Sequence, residues 1–159
     1  MHRHLKIAAL AALTILGAGV ALAQEDEDTP QSVAVEMRQG HMLNYATNLS
    51  TLGGMAKGET PYDAATAQAA ADNIFHLASI KWDYYWLEGT AAGEYEGSAA
   101  KPEIWSDRAG FEARHQDLLT ASTALQAAAG KDQAALQGAM GAVGQACGGC
   151  HQAYRVNEQ

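Results

Sequence analysis

Cys147-Gly148-Gly149-Cys150-His151-Gln152-Ala153-Tyr154-Arg155 is the stretch on which the reading of this chain turns. Two thiols three positions apart lie on one side of a helix. The spacing C-x-x-C-H is that of c-type haem attachment. Each thiol can add to one vinyl group of a haem, and the next residue is carried beneath the ring, where an imidazole reaches the iron. Gly148 and Gly149 leave the ring edge unobstructed, although each lowers helix propensity by up to ~1 kcal/mol relative to alanine. The motif therefore implies one haem c, covalently attached through Cys147 and Cys150, with His151 as proximal iron ligand.

Three other chemistries share parts of this pattern. A thioredoxin-like redox pair would make the chain a disulfide oxidoreductase, but it needs its cysteines at a helix start after a strand. A structural zinc site needs about four ligands, so His76 or His115 would have to join the two cysteines and His151. A plain disulfide is the default for two cysteines in an oxidising compartment.

Upstream of the motif the chain reads as helix. It is rich in alanine, and its prolines are confined to positions 30, 61 and 102. From Val35 the residues Met42, Tyr45, Ala46, Leu49 and Leu52 recur at three- and four-residue steps, which predicts a first amphipathic helix from about residue 31. Gly53-Gly54 weakens its end, and residues 57–61 form a turn. A second helix is expected from about Asp63 to Trp86, followed by a glycine-rich loop over 87–100. Pro102 suits the first turn of a third helix, which runs to near Gly130 and carries Ile104, Trp105, Phe111, Leu118 and Leu125. Asp132 can cap a fourth, with Leu136, Met140, Val143, Ala146 and Tyr154 facing inward. Four helices with short connections predict an all-α, antiparallel four-helix bundle. The aromatic group Trp82, Tyr84, Tyr85 and Trp86 is expected to pack at a helix end, and His41 at the surface.

The N-terminal residues read as an address. Arg3 and Lys6 precede an uncharged apolar run, Ile7 to Ala23, that ends in Ala21-Leu22-Ala23. These are the parts of a secretory signal peptide, residues 1–23, cleaved after Ala23; the run is short of the ~20 residues of a spanning helix. Residues 24–159 then form one domain, expected in the periplasm without stable membrane insertion. Two of the ten basic residues fall in the leader and none of the eighteen acidic ones do. What remains carries eight basic against eighteen acidic residues, a net charge near −10. Such a surface disfavours nucleic acid and suits redox partners with basic patches.

The placement of C-x-x-C-H near the C-terminus of an all-helical chain of this length resembles the class II cytochromes c, which include cytochrome c prime and its low-spin relatives. Cys147 to Arg155 resembles their haem helix, with a trailing aromatic and basic pair. Arg38-Gln39-Gly40-His41-Met42 is similar to their first-helix motif. Lys57 to Asp63 resembles a turn in low-spin members, and Ala100 to Trp105 followed by Phe111 resembles the start of their third helix. The resemblance implies that Arg38 approaches the haem propionates, that Gln39 and Thr90 contact the haem, and that Met42 faces its distal side. Ala91 departs from the pattern, because some relatives have an acidic residue there. The likeness of the turn to low-spin members favours a ligating Met42 sulfur, which would make the iron six-coordinate and the chain a single-electron carrier with no catalytic residues. A merely packed Met42 would leave it five-coordinate and open to nitric oxide or carbon monoxide in a dry pocket. Either monomer or homodimer is compatible with the resemblance.

Overall fold

The computed structural model describes residues 28–156; the signal-peptide reading lies outside them. Among the described residues five helices form: α1 Pro30–Lys57, α2 Ala64–Ser79, α3 Glu103–Ser106, α4 Arg108–Ala129 and α5 Gln133–Tyr154. Each long helix starts where a short polar side chain can satisfy its free amides. Thr29 and Ser32 make a reciprocal capping box on α1. Asp63, Asp107 and Asp132 accept from backbone amides three residues ahead on α2, α4 and α5. Gly58 closes α1 in the left-handed region, φ 73°, where L side chains are disfavoured.

Helix α1 packs on α2 and α5, and α4 packs on the same two, so the four long helices close a square. The three-residue connection from α4 to α5 makes them antiparallel neighbours. Small residues set the packing distance: Ala67, Ala70, Ala71, Ala78 and Ala129 are all buried. No described helix is long and apolar enough to cross a membrane.

Two boundaries differ from the expectation. Gly53 and Gly54 lie within α1, which runs on to Lys57, because tertiary packing of Leu52, Met55 and Ala56 outweighs the local glycine cost. Helix α2 ends at Ser79, not near Trp86. Trp82, Tyr85 and Trp86 instead belong to a long connection, residues 80–102, that folds back across α1. The expected third helix is divided at Asp107 into α3 and α4.

The connection is held from α1 by one side chain. Arg38 is 5% exposed. Its Nη1 donates to the Tyr85 carbonyl (3.1 Å) and to Thr90 Oγ1 (2.9 Å). Its Nη2 donates to the Thr90 carbonyl (2.7 Å) and to Ser98 Oγ (2.7 Å). The far end of the connection is tied to the end of α5: the Lys101 amide donates to the Tyr154 carbonyl, and the Val156 amide to that of Ala99, both at 2.9 Å. Covering by this segment is why His41 is buried and not at the surface: it lies edge-on to Tyr45, Trp82 and Tyr85.

Tyr154 anchors α5 a second time. Its hydroxyl donates to Asp107 Oδ2 (2.7 Å), the same carboxylate that caps α4. A Cβ at Gly110 would collide with the Asp107 carboxylate and the Tyr154 hydroxyl.

Gly110→Ala should therefore destabilise by about 1–3 kcal/mol, read as a lower denaturant midpoint. Helix propensity alone would favour alanine by up to ~1 kcal/mol, so an unchanged or raised midpoint would remove the contact argument. Arg38→Lys keeps the charge but loses the planar fork. It should cost on the order of 2–3 kcal/mol and make residues 80–102 the first site of limited proteolysis.

Candidate functional site

The core is in two parts. One cluster fills the middle of the bundle, including Leu52, Ile74, Leu125, Leu136 and Val143. The other is aromatic, built from Trp82, Tyr85, Phe111 and Tyr154 with Ala100 and Ile104. Met42 packs against both, Cys147 against the first and Cys150 against the second. Among these residues lies a cavity of about 480 Å³, within the ~300–1,000 Å³ of small-molecule and cofactor pockets.

Its walls follow from helix periodicity. Helix α1 contributes Arg38, Met42, Tyr45, Ala46 and Leu49, one stripe at three- and four-residue steps, with Gln39 beside it. Helix α5 contributes Ala146, Cys147, Cys150, His151 and Tyr154 by the same rule. Trp82, Trp86, Ile104, Phe111 and Arg114 close the remaining sides. Cys147, Cys150 and His151 therefore face one space, as the C-x-x-C-H spacing predicts.

Both cysteines are free and partly buried. Burial pushes the Cys147 thiol up, and it pushes Cys150 up to about 11, with Cys147 adding to the rise. Redox-active cysteines have the opposite character, a thiol activated toward the thiolate. The motif also sits near the end of α5, not at its start. Among the described residues no three His, Cys, Asp or Glu side chains group as a metal cluster requires, which leaves the zinc reading without its ligands. His76 is exposed beside Phe75. His115 stacks on Trp82 at 3.8 Å, with Nε2 at 2.8 Å from the Ala78 carbonyl.

His151 is exposed toward the cavity mouth; partial desolvation of its ring, with Arg155 adding to it, lowers its pKa. This favours the neutral imidazole that a metal ligand must be. Gly148 faces open space, so a Cβ there would meet nothing, and Gly149 faces only Arg114; no contact among the described residues requires glycine at either position.

The α1 residues divide by role. Arg38 lies on the cavity wall with its guanidinium 5.0 Å from the Trp86 ring. Burial lowers its pKa to about 10, which leaves it charged at neutral pH. Gln39 is exposed, and its Nε2 donates to the Gly97 carbonyl at 3.0 Å. Thr90 is fully buried but does not line the cavity. It stands behind Arg38, accepting from it and donating to the Leu87 carbonyl at 2.7 Å. Met42 is partly buried on the wall.

Tyr45, Trp82, Trp86 and Arg114 are among the wall residues that sequence reasoning did not single out as site residues. Tyr45 carries a legible signal, since it lies three positions after Met42 on the same stripe. The tryptophans do not, because the local pattern extends the second helix to Trp86 while the chain leaves it at Ser79.

The residues present fit a haem. Two free thiols and an imidazole meet at one cavity with apolar walls between, and the Arg38 guanidinium on the wall adds a positive charge, although four of its N–H donors are already bonded to the connection.

Known proteins resemble this chain in sequence and fold. The sequence profile of the family described as Cytochrome C' matches residues 33–155. Cytochrome c-554 of Cereibacter sphaeroides is 45% identical over 152 residues, covering 96% of this chain and 98% of that protein. The solved structure of a cytochrome c' from Rhodobacter superposes with a TM-score of 0.78 at 39% identity, covering 80% of this chain and 98% of that one. The nitric oxide complex of a cytochrome c prime variant from Alcaligenes xylosoxidans superposes with a TM-score of 0.70 at 35% identity, covering 81% and 98%. With a profile match over most of its length and relatives this similar, the chain belongs to the cytochrome c' family.

Proposed function

We propose that the chain is an exported, periplasmic protein with one haem c, whose α1 side offers a seat for a small gas such as nitric oxide or carbon monoxide. The observation that carries this is the single cavity wall shared by Cys147, Cys150 and His151, facing an α1 stripe that is mainly apolar. Cys147 and Cys150 would hold the haem by thioether bonds, and His151 would ligate the iron from α5. Arg38, with Gln39 beside it, would meet the propionates; a guanidinium is suited to that pairing. Thr90 would act on the haem only through Arg38. Bound there, the haem supplies an iron that can change oxidation state and accept a diatomic ligand. The chain's part is to exclude bulk water, fix the imidazole and shape the open face. The nitric oxide complex of a similar protein supports this reading. It assigns no catalytic residue.

A second reading has its own observation. Met42 lies on the cavity wall and packs against both core clusters. With its sulfur on iron, the protein would be a six-coordinate, low-spin electron carrier with a raised potential. Its acidic surface would then steer it toward basic redox partners.

The intact mass of the exported protein should exceed that of residues 24–159 by one haem, with no thiol left to titrate after denaturation. Two titratable thiols would return the cysteines to redox chemistry. His151→Ala should abolish the native absorption spectrum of the haem protein, and an unchanged spectrum would remove His151 as ligand. The ferric spectrum separates the two readings. The gas-binding reading expects high-spin iron, carbon monoxide uptake by the ferrous form, and little spin change in Met42→Ala. A low-spin spectrum with a sulfur-to-iron band, lost in Met42→Ala, would establish the electron carrier instead.

A further inference from the structure

Three donors on the cavity wall are buried without a hydrogen-bond partner: Tyr45 Oη, Trp82 Nε1 and Trp86 Nε1. A buried donor left unpaired costs roughly 1–3 kcal/mol, so each calls for an acceptor inside the cavity. Trp86 adjoins Arg38, where the carboxylates of a haem would answer it. Tyr45 stands apart. It is 5% exposed and belongs to the same packed cluster as Met42, Leu49 and Cys147. Burial, with Cys147 and Tyr85 adding to it, holds the phenol above the usual tyrosine range, so it remains an O–H donor at any physiological pH. The ring is braced edge-on by His41 at 4.9 Å.

The two thioether positions of a haem c lie on the edge opposite its propionates. A phenol in the cluster that Cys147 packs against, and close enough to feel the Cys147 charge, is therefore nearer the thioether edge than the carboxylates. What remains for it is an acceptor over the ring face on the α1 side, next to Met42.

We infer that Tyr45 is a specificity-determining residue: its hydroxyl donates a hydrogen bond to the outer atom of a diatomic ligand bound on the Met42 side, making that side polar at one point. The dry pocket expected from sequence is to that extent revised. The inference rests on the haem and gas reading above. It favours ligands whose bound outer atom is a good acceptor.

The test uses the haem-loaded full chain in four forms: with and without Tyr45→Phe, each combined with Met42 or with Met42→Ala. Tyr45→Phe removes one oxygen and keeps the ring, so an unchanged ferric absorption spectrum serves as the check on folding. The probes are carbon monoxide and nitric oxide. In the Met42→Ala pair, loss of the hydroxyl should move the infrared C–O stretch of the ferrous carbonyl to higher frequency. It should also speed nitric oxide dissociation by about 2- to 10-fold, the worth of one hydrogen bond. The same stretch and rate with and without the Tyr45 hydroxyl would overturn the inference. The Met42 pair reports separately on the gas reading. Failure of that form to take up carbon monoxide sinks the open site, while the Met42→Ala pair still decides the role of Tyr45.

Discussion

The helices of this bundle carry too little side-chain volume to close on one another along α1 and α5, and the rest of the structure is arranged around that shortfall. Alanines fill much of the interface among α1, α2 and α4 and allow close approach, but they bury little area each. The result is two apolar clusters with a cavity between them, touched from both sides by Met42. Protein interiors are ordinarily packed to the density of organic crystals. A space of about 480 Å³ lined by two thiols and an imidazole is a place built for an apolar guest with reactive edges. The proposed haem would satisfy both demands: its ring would supply the missing apolar area, and its vinyl groups and iron would match the donors of α5.

Arg38 connects that space to the segment that covers it. Its guanidinium donates four bonds to Tyr85, Thr90 and Ser98 while lying on the cavity wall. The residues 80–102 thus depend on a charge that also faces the proposed cofactor, so cover and contents are coupled through one side chain. The aromatic cluster benefits from the same tie. Trp82, Tyr85 and Trp86 are carried over α1 by a backbone with no repeating hydrogen bonds of its own, and Trp105 Nε1 donates to the Trp86 carbonyl at 3.0 Å. Tyr154 fixes the other end, joining the haem-motif helix to the cap of α4. The helix that carries the motif is thus held at its terminus, through Tyr154 and the Lys101 and Val156 amides.

The local chemistry of the thiols and of the phenol points the same way. Burial raises the pKa values of Cys147 and Cys150 and lowers that of His151, which favours the neutral form of each, as imidazole ligation requires. The unpaired donors on the opposite side are the only polar demands that this arrangement leaves unmet on the described cavity wall.

Much of this was legible in the residues alone. Helix periodicity placed Met42, Tyr45 and Leu49 on one face of α1, and Cys147, Cys150 and His151 on one face of α5, because those faces depend only on the pitch of a helix. The Asp132 cap, the turn over residues 57–61 and the four-helix class followed from local backbone preferences in the same way, whereas the Asp107 cap that starts α4 did not. The tertiary structure alone decided the course of residues 80–102. Their conformation comes from contacts distant in sequence, Arg38 to Thr90 and Ser98 above all, and local propensity cannot report such contacts. That is why Trp82 to Trp86 read as helix, why His41 read as surface, and why Thr90 proved to stand behind Arg38 and not at the cavity. A spacing reveals what shares a face, whereas only folding reveals what covers it.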